Sequence, residues 1–212
     1  MPTIAKNNDV ITVIIIFAVE PERQQELVNI IVEFVETGVK HQPGFVSSSI
    51  HKSLDGVRVM NYAQWQSQEY YEAFVNNAAV QSQGAKLANF HLLDSHVYEV
   101  AISVPEDATF KITKGGLIHL GEFKMQPENQ QRLVELEREY VGIGLQHPDL
   151  MSANFHRSLD GTHTMNYGQW RTLDNFAELL KPKYKPLSEY WQGLAENEFH
   201  LYEVVFTEPN DL

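Results

Sequence analysis

Two asparagine–tryptophan pairs carry the clearest potential for chemistry: Asn61 with Trp65, and Asn166 with Trp170. A carboxamide donates a hydrogen bond to a developing oxyanion or enolate without titrating. An indole offers a flat apolar wall and one N–H donor, which suits a planar aromatic ligand. Both pairs sit in the same frame. His51-Lys52-Ser53-Leu54-Asp55-Gly56 precedes Met60-Asn61-Tyr62-Ala63-Gln64-Trp65, and His156-Arg157-Ser158-Leu159-Asp160-Gly161 precedes Met165-Asn166-Tyr167-Gly168-Gln169-Trp170. Such an internal repeat sets two similar folding units in one chain. The structural alternative is that these are strand asparagines bonded to a neighbouring loop and tryptophans that fill a strand-to-helix corner.

Asp55-Gly56 and Asp160-Gly161 are favoured turn dipeptides, so each frame reads as a β-hairpin. Side chains directly opposite one another share a face. A two-residue turn pairs Asn61 with Ile50, Ala63 with Ser48 and Trp65 with Val46. In the second frame it pairs Asn166 with Phe155, Gly168 with Ala153 and Trp170 with Met151. Each face then presents an amide, a small residue and an indole among apolar neighbours. A small residue between two larger ones leaves a hollow, which a small apolar ligand can fill. The opposite face carries His51, Met60 and Tyr62, and likewise His156, Met165 and Tyr167.

The elements that must position these hairpins follow in the order strand, helix, strand, strand, helix, strand, twice over. Val10 to Val19 is a near-continuous β-branched run, as expected of a strand covered on both faces. Pro21 and Pro127 stand where a first helical residue belongs. Leu27, Ile30, Ile31, Phe34 and Val35 recur at helical spacing, as do Leu133, Leu136, Tyr140 and Val141. Helices are expected after each tryptophan, carrying Tyr70, Tyr71 and Phe74 in one repeat and Phe176 and Leu179 in the other. The fold class is therefore α+β: two tandem ferredoxin-like βαββαβ domains, at residues 10–102 and 117–206, with residues 103–116 as a linker. The doubly apolar first strand requires cover on its second face, and the partner repeat's sheet provides it, so the two antiparallel sheets pack face to face.

The chain has 212 residues, a net charge of −12 and no cysteine. Disulfides and thiolate chemistry are excluded. An acidic surface argues against nucleic acid and anionic membranes as partners. No apolar run is long enough to span a bilayer, and Met1 to Asp9 lacks a signal-peptide core, so a cytoplasmic location is expected. Walker, dinucleotide and nucleophile-elbow motifs are lacking.

Nine histidines form no HxH or HxxxH pair, and no metal site is expected. His51 and His156 read as satisfied histidines between the sheets. His119 has no histidine counterpart in the first repeat and is a candidate local base. Lys181 to Pro186 forms a cationic loop in the second repeat alone, which would favour a phenolate or carboxylate if it overhangs a pocket.

Pro43-Gly44-Phe45, the His-Lys-Ser-Leu-Asp-Gly turn, Asn-Tyr-x-x-Trp and a following helix with Phe together resemble the antibiotic biosynthesis monooxygenase domain, in each repeat almost end to end. The resemblance implies a dimeric α/β barrel, here built within one chain, which can itself pair further into a homo-oligomer. It also implies cofactor-free oxidation of anthrone- or naphthol-type aromatics by O2, with Asn61, Trp65, Asn166 and Trp170 as catalytic residues. Val46, Ser48, Ile50, Ala63, Met151, Ala153, Phe155 and Gly168 are the expected substrate-binding positions around them. The arginine that such enzymes use has no clear match, and Lys86 is only a candidate. A haem-degrading branch needs a histidine after the tryptophan, and residues 66–90 and 171–199 contain none.

The expected function is a cofactor-independent monooxygenase acting on a phenolic, anthrone or quinol-type aromatic with O2. The alternatives are a non-catalytic small-molecule binding or stress-response protein, or an isomerase or cyclase on the same fold.

Overall fold

The computed structural model describes residues 2–6, 9–106 and 109–210. Met1, Asn7 and Asn8 of the N-terminal stretch, Asp107 and Ala108 of the expected linker, and Asp211 and Leu212 lie outside the described residues.

The elements run β1 (Thr3–Ile4), β2 (Ile11–Ala18), α1 (Gln24–Thr37), β3 (Phe45–Ser53), β4 (Arg58–Trp65), α2 (Gln68–Val75), α3 (Ala78–Gln81) and β5 (His91–Val104). They continue with β6 (Phe110–Lys111), β7 (Leu117–Met125), α4 (Pro127–Gly144), β8 (Leu150–Ser158), β9 (His163–Trp170) and β10 (Ala195–Glu208). Each half has the ferredoxin-like order, β3-β4-β2-β5 and β8-β9-β7-β10. The sheets also join edge to edge, through β5 with β8 and β10 with β3, so that eight antiparallel strands close one barrel. Closure leaves no barrel strand with an unpaired edge. This is the dimeric α/β barrel expected from the sequence, with one difference: the sheets share edges as well as faces.

The barrel interior is where the two repeats meet. Ile14, Ile16, Met60, Tyr62, Tyr98, Leu120, Met165, Tyr167 and Tyr202 pack there with almost no exposure. Full burial of an aliphatic side chain of this size contributes about 1.5–3 kcal/mol. His51 and His156 are inside too, as the hairpin phase requires. His51 Nε2 lies 2.8 Å from the Tyr167 hydroxyl and His156 Nε2 lies 2.9 Å from the Tyr62 hydroxyl, a reciprocal pair across the pseudo-twofold.

A feature the sequence did not announce plugs one mouth. β1 pairs with β6, and Ile4 and Ile112 are fully buried in the interior cluster. Gln64 donates to the Thr3 carbonyl, and its counterpart Gln169 donates to that of Lys111. Residues 103–116, expected as a linker, thus supply the end of β5, all of β6 and the plug residue Ile112.

The helices cover the outer faces. Gln24 of α1 donates to the carbonyls of Ser53 and Arg58, and Gln130 of α4 does the same to Ser158 and His163, so each helix is tied to its own hairpin. Gly56 and Gly161 take φ of +84° and +82° at the hairpin turns, where a side chain would be strained. The helix expected after Trp170 is replaced by two 3₁₀ turns, Phe176–Leu180 and Pro182–Ser188. Pro182 and Pro186 lack the N–H that an α-helix would require there.

Candidate active site

The hairpin register agrees with the turn chemistry at four of the six expected pairs. Ile50 faces Asn61, Ser48 faces Ala63, Phe155 faces Asn166 and Ala153 faces Gly168. The two tryptophan pairs differ. Trp65 faces Phe45 and Trp170 faces Leu150, because a register shift follows Phe45 and another follows Leu150. Each is a β-bulge, which inserts one extra residue into one strand and turns it away from the ladder. The extra residues are Val46 and Met151, which are 36% and 44% exposed. Neither lies beside its tryptophan, and Phe45 and Leu150 stand in their places.

The outer face of the first half is filled. Trp65 is 1% exposed, stacks on Phe74 of α2 at 4.9 Å and meets Phe45 edge-on. Ile50 and Ala63 join Val13, Phe17, Ile31, Phe34 and Val59 in one packed cluster, with Ile15 against it. Asn61 Oδ1 accepts from the Ser48 hydroxyl at 2.7 Å. Ile15 lies directly opposite Asn61 on the adjoining strand and therefore shares its face.

The same face of the second half opens into a cavity of about 500 Å³, within the range of small-molecule sites. Asn166, Ala153 and Phe155 line it, together with His119, Gly121, Phe123, Glu137, Tyr140 and residues of the 3₁₀ turns and β10. Four replacements account for the difference. The ladders set Val13 opposite Ala63 and His119 opposite Gly168, and they set Ile15 opposite Asn61 and Gly121 opposite Asn166. Gly121 thus lacks the side chain that stands opposite the amide in the first half. The buried stripes of α1 and α4 align Leu27, Val28 and Val35 with Leu133, Val134 and Val141, which puts Glu137 where α1 has Ile31. Thr164 takes the place of Val59.

Gly168 does not leave a hollow. A Cβ there would lie 2.1 Å from the His119 ring, so the imidazole occupies the space that the missing side chain vacates. Trp170 is 2% exposed and donates its indole N–H to His119 Nδ1 at 2.7 Å. In the neutral ring that leaves the proton on Nε2. Burial pushes the His119 pKa down to about 4. The tryptophan thus stands behind the cavity wall and fixes the tautomer of a histidine that faces the cavity.

Glu137 is 1% exposed and accepts a hydrogen bond from the Thr164 hydroxyl through Oε1 at 2.7 Å. Among the described residues its Oε2 has no partner, and neither has Asn166 Oδ1. Burial pushes the Glu137 pKa up to about 8, and the Thr164 hydroxyl offsets this only in part. Buried polar atoms are nearly always paired, so two orphans on the wall of one cavity mark where a ligand's polar groups belong. Sequence reasoning missed Glu137. Its signal was a carboxylate in the buried stripe of α4, visible only when that helix is aligned with α1.

The cationic loop does not reach the cavity. Lys181 pairs with Glu178, Lys185 pairs with Glu189, and Lys183 lies over the Tyr184 ring. Lys86, the other cationic candidate, is on the first half and pairs with Glu33 at the surface.

Comparison with known proteins bears on these faces. Residues 10–83 match the model of the antibiotic biosynthesis monooxygenase family. Within that region the chain is 44% identical over 73 residues to tetracenomycin-F1 monooxygenase of Streptomyces glaucescens. The match covers 34% of this chain and 65% of that relative. Among solved structures, an anthrone oxidase-like protein shares the fold with a TM-score of 0.84 at 20% identity, over 97% of this chain and 95% of the other. A candidate monooxygenase of Fusobacterium nucleatum superposes with a TM-score of 0.64 at 11% identity, over 93% of each chain. Among the described residues, no helix is long and apolar enough to cross a membrane. Residues 10–83 are thus similar to an antibiotic biosynthesis monooxygenase domain, and the chain sets beside them a second half of the same topology.

Proposed function

We propose that the protein is a monooxygenase that oxidises a phenolic or anthrone-type aromatic with O2, and that the reaction takes place in the cavity of the second half. The observation that carries this reading is the pair of unpartnered atoms, Glu137 Oε2 and Asn166 Oδ1, in the wall of an otherwise oily cavity. A flat polycyclic ring bearing hydroxyls satisfies both the walls and the orphans. The family match and the anthrone oxidase-like fold support the same reading.

The roles follow from the chemistry of each group. A buried carboxyl that titrates near 8 is matched to proton transfer near neutral pH. As carboxylate, Glu137 takes the acidic ring or methylene proton, and the Asn166 Nδ2–H donates to the oxyanion so formed. The electron-rich anion passes one electron to O2, and the resulting radicals join through a C–O bond. Loss of water from that hydroperoxide, with a proton returned by Glu137, leaves the quinone carbonyl. One oxygen atom enters the product and the other leaves as water. His119 offers its Nε2–H as a further donor.

The test is oxygen uptake with a simple anthrone. The wild-type protein should exceed the uncatalysed rate, and Asn166→Ala should lower kcat about 10²–10³-fold, as loss of an oxyanion donor does. Asn61→Ala should leave turnover nearly unchanged, because that amide is bonded to Ser48 on a packed face. Retention of the aromatic without oxygen uptake would overturn the reading in favour of a binding protein, and a product with no added oxygen would favour an isomerase or cyclase.

A further inference from the structure

At the barrel mouth away from the plug, the pseudo-twofold produces two clusters that are equivalent in position and different in content. Around the end of the first hairpin, His200 contacts Asp55 at 2.7 Å and Glu198 at 3.1 Å. Arg58 fills the middle, with its guanidinium 2.6 Å from Glu198 and 2.6 Å from Glu122. Around the end of the second hairpin, the corresponding residues are His96, Asp160 and Asp94, with His163 where the other cluster has Arg58. His96 Nδ1 bonds Asp94 Oδ1, and its Nε2 lies 3.4 Å from Asp160. His163 Nε2 lies 3.9 Å from Asp94 Oδ1. One cluster contains a permanent cation, and the other replaces it with a second imidazole.

We propose that Asp94, His96 and His163 form a binding site for a divalent transition metal ion, which occupies the role that the Arg58 guanidinium has in the equivalent cluster. Each residue offers one ligand atom, and these atoms lie within 4.8 Å of one another. Ligand atoms about a tetrahedral ion with bonds of about 2.0–2.1 Å stand somewhat closer than that, so small side-chain rotations complete the site. The two imidazoles are 4.2 Å apart, centre to centre, and tilted by 34°. Two protonated rings at that distance would repel one another, whereas two neutral rings can share one metal. Asp94 is 6% exposed and also accepts from the Tyr98 hydroxyl at 2.9 Å, which orients it as an outer-sphere partner should. Two imidazoles and a carboxylate select zinc, cobalt or nickel over magnesium or calcium.

The ligands come from β5 of one half and β9 of the other, so the metal would pin the seam between the repeats.

Co²⁺ provides the probe, added to chelator-treated full-length protein at pH 7.5 and followed by its visible ligand-field bands, with calorimetry and thermal unfolding in parallel. The expected result is one equivalent bound at micromolar or tighter affinity, bands of a four- or five-coordinate ion, and a higher Tm. His163→Arg copies the other cluster. It should abolish the bands and the Tm response while leaving oxygen uptake unchanged, and His96→Gln should also abolish the bands. A wild-type protein without such bands would overturn the proposal, as would variants that bind Co²⁺ as the wild type does. None of these readouts depends on the proposed oxygenation.

Discussion

Gly121 lies directly across the β7–β9 ladder from Asn166, and its lack of a side chain is what leaves that amide open to the cavity. In the first half Ile15 stands at the same place, across the ladder from Asn61. A duplicated frame has thus diverged into one packed face and one hollow face, mostly through residues on neighbouring elements rather than in the frame itself.

Gly121→Ile should close the site. A Cβ at Gly121 would meet Phe123 at 3.4 Å and Asn166 at 3.5 Å, ordinary contact distances, so the strand accommodates a side chain there. The larger isoleucine then grows into the cavity. The expected outcome is at least a tenfold loss of affinity for an aromatic ligand, with Tm unchanged or raised because apolar space is filled. Ligand titration by tryptophan fluorescence and a thermal melt check both parts; unchanged affinity would place the ligand elsewhere.

Glu137 makes stability depend on pH. Its pKa rises from 4.5 to about 8 on folding, so between those values the folded state holds a proton that the unfolded chain has released. Its contribution is therefore complete below pH 4.5 and is lost as pH climbs through 8, at about 1.4 kcal/mol per unit. Glu137→Gln should remove this slope. Urea midpoints of the two proteins, measured every half unit from pH 5 to 9, should diverge in favour of the variant as pH rises; parallel curves would show that the carboxyl is not desolvated as described.

The sequence disclosed the hairpin faces because Asp-Gly turns fix register locally, and so Asn61, Ala63, Asn166 and Gly168 fell opposite their expected partners. It did not disclose the bulges at Val46 and Met151. A bulge depends on twist at the far end of the strand, and no residue type demands it. Ile4 and Ile112 were hidden for a different reason: single apolar residues in polar segments have no periodicity, and only the barrel mouth gives them a place to go. The asymmetry of the two faces was out of reach from the repeated frame. It is set by Ile15 against Gly121, Ile31 against Glu137, Val13 against His119 and Val59 against Thr164, and all but the last pair lie on other elements.

The interior histidines should make the fold sensitive to acid. Burial holds His51 at about 3 and His156 at about 4, against 6.5 when exposed. Both are neutral in the folded barrel, so their contribution is complete above pH 6.5 and is lost as pH falls toward 4. Tyr62→Phe takes the hydroxyl from His156 Nε2, 2.9 Å away, and leaves a buried polar atom unpaired. The expected loss is about 1–3 kcal/mol at pH 7, read from the urea midpoint. A neutral result would show that water replaces the hydroxyl.

The contact between Gly168 and His119 predicts a compensating pair. Gly168→Ala alone would drive a Cβ to within 2.1 Å of the imidazole, and relieving that overlap should cost about 1–3 kcal/mol. His119→Val alone frees the Trp170 indole N–H from its partner and opens a void beside Gly168, with a loss of similar size. Together the two changes rebuild the Val13–Ala63 pairing that the first half already uses. The double variant should therefore be more stable than the sum of the single losses predicts, by about 1 kcal/mol or more, which is the range expected of residues in contact. Denaturant unfolding of the four proteins in the cycle measures that coupling. Additive losses would mean that the two halves differ at this point in backbone as well as in side chain. The double variant also separates structure from chemistry: it restores packing while removing the imidazole that lines the cavity, so turnover that survived in it would exclude His119 from the reaction.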